Sequence, residues 1–320
     1  MEKLESLDRL LSDRRIKTLG IAGHARPDGD CIGSTTAVYQ YAKKYYPEIQ
    51  TDLYLEPVSP VFSYIRALQE AKTQAPERTY DLFLTCDVST RDRIGIAQDC
   101  FSRAAYTVCI DHHISNPGFA QVNHVRGEIG SCCEVLFPLM DPEKIDRDIA
   151  ISLFTGMVHD TGVFQYRNTT PDTLRIAAAL MEKNFDFTKL IEESFYEKTY
   201  VQNQALGRML MESTLDSDGR IICGCVDREM MKFYGLGPAD LEGFVQQLRL
   251  TKGVEAAIFL YELEEQTFKV SLRSNGLVNV NTTALVFGGG GHEMAAGCII
   301  PGSREEVFHM LTEELKKQLP

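Results

Sequence analysis

The chain has 320 residues, enough for two ordinary domains, and its 44% hydrophobic and 24% charged residues are the balance of a folded globular protein. A formal net charge of −12 argues against a protein that tracks long nucleic acid, because such binding depends on a basic surface displacing counterions. The N-terminal run Met-Glu-Lys-Leu-Glu-Ser-Leu-Asp-Arg is charged where a signal peptide is apolar, and nowhere do about 18 apolar residues run together as a membrane span requires. A cytoplasmic location without membrane contact is therefore expected. The nine cysteines are odd in number, two are adjacent (Cys132 and Cys133), and most lie inside apolar runs, so they read as reduced thiols. Cys223-Gly-Cys225 lacks a second pair at zinc-ribbon spacing.

Residues 4–14 read as a short amphipathic helix and residues 18–23 as a buried strand, after which Gly33-Ser34 opens a helix running to about Tyr45. Further strands are expected at 51–56, 81–86 and 104–110, with helical patterns between them. Strand, acidic loop and helix in alternation predict an α/β fold with a mainly parallel, doubly wound sheet. Helices at 131–140 and 145–158 would pack on it, and Pro171 suits the first position of another. Residues 187–215 form a long helical pattern interrupted only by Gly207, which predicts a connecting helix between a catalytic domain (1–186) and a smaller α+β domain (216–320). That second domain reads as a strand at 220–226, a helix at 238–250, strands at 254–263 and 267–273, and a helix at 278–287. A run of four glycines before His292, a strand at 294–300 and a closing helix capped by Ser303, with Glu306 three residues on, complete it. The active site is expected in the cleft between the two domains.

Four apolar segments end in acids and imidazoles: one in His24, Asp28 and Asp30, one in Asp87, one in Asp111-His112-His113, and one in His159-Asp160. Such groups at the tip of a buried strand cost several kcal/mol unless something compensates them, and a metal does so. In an open parallel sheet ligands collect outside the carboxyl ends of the strands, which would bring His24, Asp87 and Asp111 together. Carboxylate and imidazole without thiolate suit Mn²⁺ or Mg²⁺, and seven candidate groups exceed the needs of one ion. Two ions about 3.5–4 Å apart would polarise a phosphoryl group and activate a water for in-line attack, so phosphoester hydrolysis is the expected reaction class.

The segments HARPDGDCIGS, TCDVST, CIDHHIS and HDTGVF, in that order, resemble the four motifs of the DHH phosphoesterase family, and the later SLRSNG and GGGGHEMAAGC resemble its DHH-associated domain. Together they span nearly the whole chain, which in length and domain content is similar to the bacterial nanoRNase and 3'-phosphoadenosine-5'-phosphate (pAp) phosphatase type. The resemblance implies that His24 and Asp28 bind one metal, that Asp30, His112 and Asp160 bind a second, and that Asp87 bridges them. The metals implied are Mn²⁺ before Mg²⁺ or Co²⁺. It further implies that Asp111 orients His112 from behind and that His113 acts on substrate, contacting the phosphate or assisting the leaving oxygen.

Substrate contacts are implied for Arg273, Ser274, Gly289, Gly290, Gly291 and His292, although a glycine run also suits a tight helix-to-strand connection. The chain departs from the family at Cys31 and at Gly130-Ser131-Cys132-Cys133, where Ser131 is a candidate phosphate contact. Arg91 and Arg93 are candidates too, or else solvated surface arginines. His159 reads as a packed neighbour, His124 and His309 have no partner motif, and Tyr39, Tyr41, Tyr45 and Tyr46 read as packing.

The activity implied is removal of mononucleotides from very short RNA, with removal of the 3'-phosphate from bisphosphorylated nucleosides such as pAp. The alternatives are a phosphodiesterase for cyclic or linear dinucleotides (c-di-AMP, pApA) and an exopolyphosphatase or pyrophosphatase. The last is disfavoured by the lack of a dense Lys/Arg cluster in the second domain. A catalytically silent nucleotide sensor is disfavoured by the complete set of ligand positions. The expected partner is a short oligonucleotide or nucleotide, with a homodimer as one option for assembly.

Overall fold

Five short apolar runs, β1 (Thr18–Ala22), β2 (Gln50–Tyr54), β3 (Leu82–Cys86), β4 (Tyr106–Asp111) and β5 (Val122–Val125), pair in parallel in the order β2-β1-β3-β4-β5 in the computed structural model, which describes residues 4–320. All of β3 is buried, as befits a parallel strand covered on both faces. One face is covered by α1 (Leu7–Leu11) and α2 (Gly29–Tyr45), where Tyr39, Tyr41 and Tyr46 are buried in the core as expected. On the other, Tyr54, Tyr80 and Phe83 pack with Phe101 of α3 (Gln98–Arg103). Because β2 lies on one side of β1 and β3 on the other, the chain leaves the carboxyl ends of β1 and β3 in opposite directions. That is the switch point where an α/β sheet opens a crevice.

Several boundaries differ from expectation for identifiable reasons. Helix α2 starts at Gly29, four residues early, because the Asp28 carboxylate accepts from the Asp30 and Cys31 N–H groups (both 3.1 Å) and caps it. Strand β5 was not expected; only Val122 of its four residues is buried, so its hydropathy is faint. The helix expected at 131–140 is α4 (Cys132–Leu136) followed by a 3₁₀ turn at Phe137–Leu139, where Pro138 ends the α-helical hydrogen bonding. Helix α5 (Arg147–Asp160) reaches Asp160, and α6 (Pro171–Met181) begins at its proline behind a Thr170–Thr173 capping box.

The connecting helix expected at 187–215 does not exist as one element. Helix α7 (Phe187–Ile191) passes into a π-turn at Glu192–Tyr196, Glu197 is extended, and α8 (Tyr200–Met211) starts afresh behind Thr199. Thr199 and Gln202 form a capping box, and a helix start inside an apolar pattern ends one helix as it begins the next. The break falls where the chain divides into two compact units, Met1–Glu197 and Lys198–Pro320.

The second unit is a six-stranded sheet of β6 (Thr214–Leu215), β7 (Ile221–Val226), β8 (Ala256–Glu264), β9 (Thr267–Ser274), β10 (Gly290–His292) and β11 (Ala295–Pro301), ordered β10-β11-β9-β8-β7-β6. Only β7 and β8 pair in parallel. The unexpected α9 (Arg228–Tyr234) and α10 (Phe244–Arg249) pack with α8 around Met209, Met230, Phe244 and Phe259 on one face. Gly243, at φ 81°, splits the helix expected at 238–250. Helices α11 (Val280–Val286) and α12 (Arg304–Lys316) cover the other face, and α12 carries the expected Ser303–Glu306 capping box. All nine cysteines are free and buried. Among the described residues no helix is long and apolar enough to cross a membrane.

Candidate metal centre

The exits of β1, β3 and β4 deliver His24, Asp87 and Asp111 to one end of the first sheet. Asp87 leaves β3 with a left-handed backbone (φ 58°), held there by its N–H donating to the Ile110 carbonyl of β4 (3.0 Å). A non-glycine residue accepts that conformation only where its surroundings impose it. The result is a carboxylate whose two oxygens face different neighbours. Oδ2 lies 3.5 Å from His24 Nε2, which is itself 3.5 Å from Asp28 Oδ2. Oδ1 lies 3.4 Å from His112 Nε2, which is 3.2 Å from Asp160 Oδ2 and 3.9 Å from Asp30 Oδ2. His24, Asp28 and Asp87 could hold one cation, and Asp30, His112 and Asp160 another, with donor atoms within 4.8 Å of one another in each set.

Asp87 Oδ1 is buried and receives no hydrogen bond. A buried carboxylate oxygen without a hydrogen bond, close to the carboxylates of Asp28, Asp30 and Asp160, is costly unless positive charge is supplied. The donor set of oxygen and imidazole nitrogen therefore fits hard divalent cations.

The electrostatics repeat that demand. Burial disfavours charge on His24, yet Asp28 and Asp87 outweigh it and push the imidazole up to about 11. His112 is likewise driven well above its ordinary value against burial, by Asp160 and Asp87. Burial, aided by the charges of Asp28 and Asp87, lifts Asp160 to about 6, and burial together with Asp87 and Asp160 lifts Asp30. Asp87 goes the other way: burial opposes its charge, but His112 and His24 overcome it and hold the carboxyl below its usual range.

Several of the candidate ligands are braced by neighbours. His24 Nδ1 lies 2.9 Å from the Ala25 carbonyl and His112 Nδ1 3.3 Å from that of Ile129, which favours the tautomer whose Nε2 lone pair faces the carboxylates. The Asp30 carboxylate accepts from the Cys132 N–H (2.5 Å) and the Cys133 N–H (3.0 Å) at the start of α4. Space for it exists only because residue 156 of α5 is glycine; a Cβ there would sit 2.3 Å from Cys133 Sγ and 2.5 Å from Asp30 Oδ1. The Asn168 amide donates to the carbonyls of Asp160 (3.1 Å) and Gly130 (3.0 Å), tying the end of α5 to the loop that precedes α4.

Three expectations are corrected. Asp111 does not orient His112: its Oδ1 lies 2.7 Å from His113 Nδ1, because residues i and i+2 of an extended chain share a face whereas i and i+1 do not. Ser131 is fully buried as the cap of α4, where its hydroxyl accepts from the Glu134 N–H (3.2 Å) and donates to the Glu134 carboxylate (3.1 Å), so it is not placed to touch phosphate. Ser274 is 1% exposed and its hydroxyl accepts from Gly276 N–H (2.9 Å), which makes it a turn-holding group.

Of the other candidates, Arg93 places Nη2 3.3 Å from His24 Nδ1 at the edge of the centre, while Arg91 donates to Ser102 of α3 (2.7 Å). Cys31 is buried, its sulfur accepting from the His24 N–H (3.2 Å). His159 packs between Phe62 and Phe195, and burial pushes its imidazole down to about 4. In the second unit Arg273 of β9 and His292 of β10 are both in register with Ala295 of β11, so they occupy one row across the sheet. Gly290 to His292 pair as a strand, and a Cβ at Gly289 would lie 2.2 Å from the Gly297 carbonyl oxygen, so this run serves backbone pairing and close approach.

Nothing in the sequence marks Asn116 as functional. It stands five residues after Asp111, but an amide does not titrate, and carboxylates and imidazoles are the stronger ligand candidates around it. Its side-chain amide donates to Asp111 Oδ2 (2.6 Å).

The sequence pattern of the N-terminal domain of the DHH family matches residues 18–157, and that of the DHHA1 domain matches residues 228–319. The chain belongs to the DHH family. As a DHH-family chain it is a phosphoesterase, a hydrolase of a family that works with divalent metals. It is 27% identical to the bifunctional oligoribonuclease and PAP phosphatase NrnA of Thermus thermophilus over 93% of this chain and 89% of that protein. It is 26% identical to the Bacillus subtilis protein of the same name, over 88% of this chain and 89% of the relative. Its fold superposes with a TM-score of 0.88, at 22% identity, on an exopolyphosphatase-related protein from Bacteroides fragilis, covering 97% and 94% of the two chains. For RecJ of Thermus thermophilus in complex with Mn²⁺ the TM-score is 0.52 at 12% identity, over 97% of this chain and 53% of that one.

Proposed function

We propose that this DHH-family chain, loaded with two Mn²⁺ ions, hydrolyses very short oligoribonucleotides to mononucleotides and removes the 3'-phosphate from pAp. The observation that carries this reading is Asp87, whose two oxygens are divided between the His24–Asp28 group and the Asp30–His112–Asp160 group. The names of the relatives, over nearly the full length of both chains, support the substrate class. His24 and Asp28 would hold one ion and Asp30, His112 and Asp160 the other, with Asp87 contributing to both groups. Such a pair supplies Lewis acidity toward a phosphoryl oxygen and a water acidic enough to attack near neutral pH.

The chain's own residues do the rest. With Nδ1 engaged by Asp111, the proton that His113 trades is on Nε2, and it goes to the leaving ribose oxygen as the P–O bond breaks. Arg273 and His292 bind the remaining phosphate of a short substrate through charge-assisted hydrogen bonds. The net charge of −12 gives a longer strand nothing further to bind and repels it, which favours short substrates.

The test is incubation with Mn²⁺ and pAp, pApA, c-di-AMP, a 24-nucleotide RNA and pyrophosphate, with products separated. AMP from pAp and from pApA, and a much slower 24-mer, are expected. Equal rates on the 24-mer and pApA, or turnover of pyrophosphate or c-di-AMP alone, would overturn the reading.

A further inference from the structure

Asp111 is fully buried, and among the described residues its one ion-pair partner is His113. A carboxylate held by one oxygen can still swing about its Cβ–Cγ bond and carry the imidazole with it. The second oxygen is held by Asn116, whose Nδ2 lies 2.6 Å from Asp111 Oδ2. The same Nδ2 lies 3.0 Å from the carbonyl of Val88, the residue after Asp87, and 3.5 Å from Cys109 Sγ. The amide cannot turn over, because its Oδ1 accepts from the Gly118 N–H (2.8 Å). Its backbone is restrained as well: Asn116 N–H donates to the His113 carbonyl (3.1 Å), and Pro117 confines the residue before it to extended conformations. One side chain therefore links the exits of β3 and β4, and so ties the backbone beside Asp87 to the carboxylate that aims His113.

We propose that Asn116 is a positioning residue for leaving-group protonation, acting through Asp111 on His113. The proposal rests on the role given to His113 above, but not on the identity of the natural substrate. In the step concerned, the proton leaves His113 Nε2 for the leaving oxygen while the P–O bond to that oxygen breaks and the attacking water's oxygen takes its place on phosphorus. A leaving group that departs as a stable anion has no use for that proton, and this separates positioning from general structural damage.

The experiment compares two esters of AMP, the 4-nitrophenyl ester, whose phenolate leaves unprotonated, and the methyl ester, whose alkoxide does not. With the Mn²⁺-loaded protein, Asn116→Ala is expected to lower kcat on the methyl ester roughly 10–100-fold, a part of the roughly 10²–10⁴-fold that a positioned general acid contributes. Rates on the 4-nitrophenyl ester, KM for both esters and bound manganese should stay within about twofold of wild type, since no ligand is touched. In a His113→Ala background the Asn116 substitution should add nothing further on the methyl ester, as residues acting in one chain are not additive. Asn116→Asp keeps the volume and replaces the donor by an acceptor, so it reports the same contrast should the alanine variant fold poorly. Equal losses on the two esters, loss of manganese, or a full additional loss in the His113→Ala background would each overturn the proposal. None of these readouts depends on whether RNA or pAp is the physiological substrate.

Discussion

Replacing Asp87 by alanine is the sharpest perturbation of the centre, because one side chain is shared by both ligand groups. Its oxygens lie 3.5 Å from His24 Nε2 and 3.4 Å from His112 Nε2, and Oδ1 has no hydrogen bond to lose. The substitution would leave one ion with His24 and Asp28 alone and the other with Asp30, His112 and Asp160. Turnover should fall far below a tenth of wild type at saturating Mn²⁺, a threshold that corresponds to only about 1.4 kcal/mol of barrier.

Stability of the metal-free protein should change little, because opposing contributions are removed together. The depressed Asp87 carboxyl favours the fold above the ordinary carboxylate range, and that contribution is lost as pH falls through its lowered value. Asp160, lifted to about 6 with help from Asp87, works against the fold as pH rises from about 4 to 6, and that cost shrinks with Asp87 gone. The gain from metal is where the variant should differ. Wild type at a free Mn²⁺ concentration of 100 times Kd should gain about 2.7 kcal/mol, which is several degrees in Tm for a unit of this size, and the variant much less. Thermal unfolding with and without Mn²⁺, alongside kcat, tests both halves. A variant that keeps more than a tenth of the rate, or the full thermal shift, would refute the shared-ligand reasoning.

Gly156→Ala should cost about 1–3 kcal/mol and weaken metal-dependent stabilisation, since the new Cβ falls 2.3 Å from Cys133 Sγ and 2.5 Å from Asp30 Oδ1. Urea midpoints equal to wild type with and without Mn²⁺ would contradict this. Asp81→Ala removes the acceptor of the Lys17 and Thr18 N–H groups (2.9 Å each), which should cost about 1–3 kcal/mol near pH 7. Because those hydrogen bonds hold Asp81 below the ordinary carboxylate range, its contribution is complete above about pH 4 and fades as pH falls through the lowered value. A difference from wild type that stays constant down to pH 2 would count against it. Arg273→Ala should raise KM for pApA roughly 10–100-fold with kcat little changed, as expected when a charge-assisted phosphate contact is lost. Unchanged kinetics on both pApA and pAp would remove Arg273 from the substrate site.

The order of strands and helices in the first unit was legible because long apolar runs with period-specific breaks survive in a linear reading, and β1, β3 and β4 lie within about two residues of expectation. So was the inventory of charged groups at their ends, since acids and imidazoles at the tip of a buried strand have few structural uses. What a linear reading lacks is the pairing of groups across elements. The division of Asp87 between His24 and His112 depends on a left-handed backbone at one residue, and no residue type announces that. Asp111 meets His113 because of the pleat. Ser131 is spent on a helix cap and the 187–215 pattern is cut at Thr199, both because a hydroxyl that satisfies a helix's first N–H groups overrides the apolar periodicity around it. The types of chemistry and their order along the chain thus follow from local composition. Which atom faces which was decided only in three dimensions, because contacts between groups dozens of residues apart are set by sheet register and helix packing, and neither is written in any one segment.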